Sequence, residues 1–356
     1  MKKYKVIQWG TGQVGIGALQ SIIEHPQLEL VGVAVYADNK NGVDAGELCG
    51  LPLTGIKATT DHESLLALDA DCVNFNGSAF TGDPVIDDLE RILLSGKNIA
   101  TTALLKPSTN KPGRGGDANV VERFKAACDK TAVSYLASGL DPGFVTDVLP
   151  PVMSAMCSTV DHVHITEVAD YSKCTFTNPA AVLAFMGYGQ PLRTDVPDFI
   201  GEVWIPGMYS LADVMGLELE DIKISAQSAP LLQDYEVFGI NLAKGTSGAV
   251  RFCLEGIVNG KSLLKIEHVT RIDATAGPDW AQPPSDESVA YYIDIGGDLS
   301  YRLTLEFFKK GGSVMEASCW ATGTRLVNAI PAICEANAGV LSVADIEIPT
   351  HRTRTR

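Results

Sequence analysis

The sequence predicts an α/β Rossmann domain with a doubly wound parallel sheet, and an α+β domain with an open, mainly antiparallel sheet. Strands and helices alternate as far as Pro150, which favours a parallel sheet with helices on both faces. Beyond Pro151, segments of period-two alternation follow one another with few helices between them, including 312–320, as in antiparallel sheets. Since 356 residues suit two domains, we expect residues 1–146 with 324–356 to form the first domain and 147–323 the second, which binds substrate and dimerises.

A glycine-rich turn follows the first apolar strand. Its glycines have the spacing Gly10-x-Gly12-x-x-Gly15, and helical apolar spacing begins directly after them. Gly10 is expected to make the turn, Gly12 to let the backbone approach a pyrophosphate, and Gly15 to let the helix pack closely on the strand. The helix N-terminus favours a phosphate. The pattern predicts a dinucleotide site, and the alternative is a plain turn between a strand and a helix.

Further cofactor contacts are expected where other strands of the sheet end. Ligands of doubly wound sheets bind beyond the carboxyl ends of the strands. The residues predicted to bind the cofactor are Gly10, Thr11, Gly12, Gln13, Val14, Gly15, Tyr36, Asn39, Lys40, Asn76, Gly77, Thr101, Thr102, Asp141, Pro142 and Gly143.

The loop after the second strand favours NADP, with NAD also possible. In dinucleotide folds that prefer NAD, an acidic residue near the tip of this strand holds the ribose 2′-hydroxyl. Here the tip is Val35-Tyr36, and Asp38 lies further along the loop. Asn39 and Lys40 suit a 2′-phosphate instead, unless both are ordinary solvated loop residues.

Composition excludes several classes of function. The net charge is −15 and the basic cluster is confined to residues 351–356, so nucleic acid is not an expected partner. No apolar stretch reaches the ~18 residues that span a bilayer, and no leader precedes the first strand, so we expect a cytoplasmic protein without a membrane partner. The eight cysteines are scattered, and His162 with His164 lacks a third ligand, so no metal site is predicted.

The chain resembles the dihydrodipicolinate reductase-like oxidoreductases, in the branch of 2,4-diaminopentanoate dehydrogenases and native amine dehydrogenases. The resemblance implies a Rossmann domain, a substrate domain that also dimerises, and nicotinamide held between them. The stretches that carry it are Gly10-Thr11-Gly12-x-Val14-Gly15, Lys40-x-Gly42-x-Asp44-Ala45-Gly46, Asp141-Pro142-Gly143-Phe144, Glu167-x-x-Asp170-Tyr171-Ser172 and Arg325-x-Val327-Asn328-Ala329-Ile330-Pro331.

Two positions depart from the pattern of that branch. A glutamate that binds the substrate nitrogen follows the fifth strand there, whereas residues 103–107 here contain no carboxylate. If Leu104 or Leu105 takes its place, the pocket wall is apolar and a neutral ketone is favoured over a cationic amine. Asp141 stands where the branch often has asparagine, and an ionised aspartate can only accept hydrogen bonds.

The sequence therefore predicts an NAD(P)H-dependent oxidoreductase that transfers hydride to or from a small carbonyl, imine or amine carbon. Two alternatives are a non-catalytic NAD(P)-binding sensor and a true amine dehydrogenase that uses a carboxylate from the second domain. The expected partners are a small-molecule substrate and a second copy of the chain.

Three residues are candidates for the proton chemistry. Tyr171 either donates a proton from its phenol or is a packed aromatic residue. Lys106 either donates a proton after desolvation has lowered its pKa or is an exposed lysine. Glu167 either replaces the missing glutamate or is an ordinary strand glutamate. Arg325 and Asn328 share a predicted helix face that either binds substrate or ties the helix to the sheet. Together with Leu104 and Leu105, they are the predicted substrate residues.

Overall fold

The computed structural model describes residues 2–77, 83–103, 118–176, 178–193, 198–285, 289–308, 312 and 314–350. The chain forms two compact units, one comprising Met1–Phe144 with Cys319–Arg356 and the other Val145–Ser318.

The first unit contains a parallel sheet of seven strands in the order β15-β6-β5-β4-β1-β2-β3. This order is that of a doubly wound sheet with one strand added beside β6. The doubly wound parallel sheet predicted from the sequence is therefore confirmed. The strands are β1 Tyr4–Trp9, β2 Leu28–Ala34, β3 Ala58–Thr59, β4 Cys72–Phe75, β5 Asn98–Thr101, β6 Ser134–Ala137 and β15 Gly339–Leu341.

Helices cover both faces of this sheet. Leu89 of α4 and Phe124 of α5 pack into one apolar core, while Ile22 of α1 and Ile330 of α9 pack into another. The helices concerned have apolar residues at helical spacing, so each buries one side against the sheet. They are α1 Gln13–Glu24, α2 Ala45–Cys49, α3 His62–Leu66, α4 Asp83–Leu94, α5 Ala118–Thr131 and, from Cys319 onward, α9 Val314–Glu335.

The second unit contains a six-stranded sheet in the order β14-β13-β7-β12-β11-β8. Only the β7–β12 pair is parallel among the pairs of this sheet, so the predicted mainly antiparallel sheet is confirmed. Its strands are β7 Thr159–Asp170, β8 Asp221–Pro230, β11 Ser247–Val258, β12 Lys261–Arg271, β13 Val289–Asp298 and β14 Tyr301–Glu306. A separate hairpin joins β9 Tyr235–Val237 to β10 Ile240–Leu242.

The second half of the chain contains more helix than the sequence pattern predicts. Three lie within the second unit, namely α6 Leu149–Ser154, α7 Pro179–Met186 and α8 Asp198–Val214. The strand predicted over 312–320 is wrong, because α9 already begins at Val314. The alternation of apolar residues over 312–320 is a local pattern, whereas the helix is favoured by close packing against α1. An added Cβ on Gly17 of α1 would lie 2.9 Å from the Trp320 ring, and one on Gly323 would lie 2.8 Å from the Val14 carbonyl oxygen.

None of the helices in the described ranges combines the length and the apolar character needed to cross a membrane.

Candidate functional site

The glycine turn between β1 and α1 forms a close-packed cradle. Gly10 has a φ of +91°, a conformation that favours glycine, and a Cβ there would lie 2.8 Å from the Asn76 carbonyl oxygen. A Cβ on Gly15 would lie 2.2 Å from the Gly10 carbonyl oxygen. Both positions therefore exclude any larger residue.

Gly12 is the opposite case, because a Cβ on it would meet no atom of the described residues within 4 Å. Gly12 is the N-cap of α1, which begins at Gln13 and continues with Val14. The N–H groups of a first helical turn have no partner within the helix. Open space beside these groups fits the pyrophosphate of a dinucleotide.

A buried amide network supports the cradle from inside the sheet. The Gln8 amide nitrogen donates to the Gly10 carbonyl oxygen (2.7 Å) and to Asn76 Oδ1 (3.0 Å). Asn74 Nδ2 donates to Gln8 Oε1 (2.7 Å), and Asn76 Nδ2 donates to Thr102 Oγ1 (3.1 Å). The network joins the ends of β1, β4 and β5 and thereby fixes the glycine turn relative to Thr102.

The sequence prediction missed Gln8 and Asn74. An amide residue inside a mostly apolar strand segment was the available signal, because buried amides need partners. Their partners come from different strands, so only the assembled sheet shows their function.

The loop after β2 brings Lys40 against the glycine turn. The Lys40 ammonium donates to the Thr11 carbonyl oxygen (2.8 Å) and lies 3.1 Å from Thr11 Oγ1. Asn39 is exposed in the short 3-10 turn Asp38–Lys40. A cation is thus held at the edge of the sheet where the sequence predicts a cofactor phosphate.

Tyr36 follows the tip of β2 and is 56% exposed. Its hydroxyl accepts a hydrogen bond from the buried Trp9 indole nitrogen (2.9 Å), and its ring lies edge-on to His62, with 5.1 Å between centroids. Burial raises the pKa of Tyr36 above its ordinary value.

The remaining predicted cofactor residues end strands of the same sheet. Thr101 Oγ1 accepts from the Ala103 N–H (2.9 Å), and Gly77 packs on the Phe75 ring. Asp141 and Pro142 are extended after β6, and Gly143 has a φ of +141° that only glycine adopts readily.

In the second unit, one row of side chains crosses five strands of the mixed sheet. Tyr291 of β13 pairs with Glu167 of β7, which pairs with His268 of β12; His268 then pairs with Phe252 of β11, and Phe252 with Ala226 of β8. Residues paired in this way point to the same face. Glu167 and His268 are thus an ionisable pair within an otherwise mostly aromatic and apolar row.

Aromatic rings enclose the His268 side chain, which is 3% exposed. The Phe252 ring stacks on it at 4.5 Å with an interplanar angle of 10°, and the Trp204 ring of α8 meets it at 4.5 Å and 69°. His268 Nδ1 lies 3.7 Å from Glu167 Oε2, and the Glu167 side chain is 14% exposed. Ionisable groups at such desolvated positions are typical of functional sites.

Sequence reasoning singled out Glu167 and missed His268. The pair depends on the parallel register between β7 and β12, and period-two alternation carries no information about which strands are neighbours.

The other predicted substrate and catalytic residues lie in different surroundings. Tyr171 meets Phe176 and Tyr188 edge to face at 5.4 and 6.3 Å. The Arg325 guanidinium lies over the Phe144 ring at 5.9 Å. Asn328 instead lines a cavity of about 370 Å³ with His25 and Glu335.

Lys106, Leu104 and Leu105 fall outside the described residues.

Comparison with known proteins gives the family. The C-terminal domain family of 2,4-diaminopentanoate dehydrogenase matches residues 144–354. This chain belongs to that family. An amine dehydrogenase of Streptomyces virginiae is 33% identical over 353 residues, which cover 96% of each chain.

More distant relatives agree with this assignment. The 2,4-diaminopentanoate dehydrogenase of Acetoanaerobium sticklandii is 21% identical, with 98% of this chain and 95% of that protein covered. The solved structure of an amine dehydrogenase from Mycobacterium smegmatis has the same fold, with a TM-score of 0.72 at 17% identity and with 99% and 97% of the two chains covered. This member of the 2,4-diaminopentanoate dehydrogenase family is an NAD(P)-dependent oxidoreductase, and the non-catalytic sensor is set aside.

Proposed function

We propose that this oxidoreductase interconverts a primary amine with the corresponding carbonyl compound, and that the Glu167 carboxylate holds the substrate nitrogen. The name of the relative at 33% identity, amine dehydrogenase, supports the amine substrate. The carrying observation is the Glu167–His268 pair, because the sequence offers no carboxylate at residues 103–107.

An ionised carboxylate within a mostly aromatic and apolar row is costly to bury. Burial of a carboxylate away from water must be compensated by a counter-charge. A substrate ammonium supplies that charge, and the apolar residues of the row suit the hydrocarbon part of an amine. A neutral ketone leaves the carboxylate with less compensation.

The proposed reaction balances as follows. The amine loses a proton from its ammonium group, and a hydride then leaves the carbon that bears the nitrogen, which gives an iminium ion. Water adds to the iminium ion, which breaks down to the carbonyl compound and ammonium. The nicotinamide supplies the chemistry of accepting or returning the hydride. Glu167 binds the ammonium and accepts its proton, while His268, through Nδ1, keeps that carboxylate oriented.

Lys40 supports a preference for NADP. Its ammonium is fixed on Thr11, and the tip of β2 ends in Val35 and Tyr36 rather than in an acid. A 2′-phosphate is therefore attracted and meets no carboxylate at the strand tip.

We further propose a homodimer formed through the second unit. A groove of about 140 Å³ is lined mainly by residues of the face opposite the aromatic row, namely Ser225, Gln227, Arg251, Cys253, Glu255 and Lys265. Both signs of charge are present, which suits a two-fold interface in which each copy offers the same patch. The cytoplasmic location stays a prediction.

The test of Glu167 uses Glu167→Gln, which keeps the shape and removes the charge. We expect kcat/KM for amine oxidation to fall by a factor of about 100 or more, because the variant loses both the counter-charge and the proton acceptor. Glu236→Gln is the matched control, since Glu236 is an exposed strand glutamate of the separate hairpin β9–β10. Full amine oxidation by Glu167→Gln contradicts the assignment.

A further inference from the structure

Tyr36 is an exposed aromatic ring whose position is nevertheless fixed. The ring lies directly after the tip of β2, is 56% exposed, and is anchored at its hydroxyl by the Trp9 indole N–H. An exposed tyrosine ordinarily leaves its hydroxyl in water. Here the polar end is turned inward and much of the ring is left open.

The anchor itself is rigid. Trp9 is 1% exposed at the end of β1, and its ring stacks against Phe75 at 6.0 Å. His62 Nε2 lies 3.1 Å from the Val35 carbonyl oxygen, and the His62 ring supports both Trp9 and Tyr36. The Tyr36 ring is thus held by three elements, β1, β2 and α3.

The place of Tyr36 in the fold indicates which part of the cofactor the ring would contact. In doubly wound folds the ribose of the adenosine half lies at the tip of β2, next to the glycine turn. Aromatic faces at such positions stack nucleobases, and every base has a π-face. Lys40, four residues later, is held on Thr11 of the same turn.

We propose that Tyr36 is the platform on which the adenine ring of the cofactor stacks, and that Trp9 is the positioning residue that fixes this platform. The platform contributes equally to NAD and NADP, because both carry the same base. It is separate from the contact of Lys40 with the 2′-phosphate and does not depend on the amine substrate.

The test compares Tyr36→Ala with Tyr36→Phe by equilibrium binding of NADPH and NADH. Tyr36→Ala is expected to raise both dissociation constants by about tenfold, and Tyr36→Phe, which keeps the ring, by at most about threefold. Leu53→Ala is the control, since it removes another exposed apolar side chain of the same unit and should change neither constant. An effect of Tyr36→Ala below about twofold, or one confined to NADPH, overturns the proposal.

Trp9→Phe tests the positioning role. The substitution keeps an aromatic ring beside Phe75 but removes the N–H that donates to the Tyr36 hydroxyl. Binding of both cofactors should therefore weaken by about threefold in the wild-type background. In the Tyr36→Phe background, where the hydroxyl is already absent, binding should hardly change. Equal effects in the two backgrounds show that Trp9 acts through packing alone and overturn its assigned role.

Two probes of the unmodified protein keep the proposal testable if a variant fails to fold. Nicotinamide hypoxanthine dinucleotide keeps the stacking face and changes the base edge, so it should bind within about threefold of NADH. Adenosine monophosphate should bind at least about tenfold more tightly than ribose 5-phosphate. Equal binding of the last two overturns the proposal.

Discussion

At the scale of single residues, Lys40 gives the sharpest test of the cofactor preference. Lys40→Ala should weaken NADP binding by about tenfold and NAD binding by less than about threefold, because only NADP carries the phosphate that the ammonium would bind. The measurement is the ratio of the two dissociation constants. Lys130→Ala, at an exposed position of α5, is the control. Equal losses for both cofactors contradict the NADP preference.

Residues whose task is local were predictable from the sequence. Gly10 has the positive φ angle of a tight turn, Gly12 has open space beside it, and Gly15 lies close to the turn, as their spacing predicts. Residues whose task depends on neighbouring strands were not. Gln8 meets Asn74 only across β1 and β4, and Glu167 meets His268 only across β7 and β12.

At the scale of elements, the pair of strands β11 and β12 carries a carboxylate that makes stability depend on pH. Glu267 is 5% exposed, and Arg251 (2.7 Å), His164 (3.2 Å) and Lys265 (3.5 Å) surround it. Burial alone would raise the pKa of Glu267, but His164, Lys265 and Arg251 outweigh burial and lower it to about 2.

The sign of the effect follows from the lowered pKa. Glu267 stabilises the folded state above its ordinary value of 4.5, and this contribution is lost as the pH falls towards about 2. Its size is on the order of 3 kcal/mol. Denaturant unfolding should show a free energy of unfolding that falls steeply over this interval in the wild type and less steeply in Glu267→Gln, with Glu236→Gln, at an exposed position of β9, as control. Parallel curves for all three proteins contradict the assignment.

Elements differ in how far their own sequence specifies them. The strands and helices that build the parallel sheet have strong local periodicity, and their order was predicted. The start of α9 was predicted as a strand, because the preference for a helix comes from packing of Trp320 and Gly323 on α1 rather than from the alternation of residues 312–320.

At the scale of the whole molecule, dimerisation is open to a direct test. The groove of the second unit is lined largely by polar and charged residues. We therefore expect an association that weakens with salt. Light scattering at micromolar concentration should give twice the chain mass of 37.9 kDa. The mass should shift to that of the monomer in Lys223→Glu, because Lys223 of β8 pairs with Glu255 of the groove, but not in Lys57→Glu, in the other unit. A monomeric mass of the wild type at low salt contradicts the dimer.

In the proposed reaction nitrogen enters and leaves the substrate, and this transfer can be followed with labelled ammonia. The wild-type enzyme is incubated with NADPH, a panel of small ketones and aldehydes, and ¹⁵N-ammonium, and the products are identified by mass spectrometry. The account predicts primary amines that contain ¹⁵N and an NADPH oxidation rate that depends on ammonia. Alcohols formed at the same rate without ammonia would contradict it, and would favour the neutral acceptor that Leu104 and Leu105 predict from the sequence.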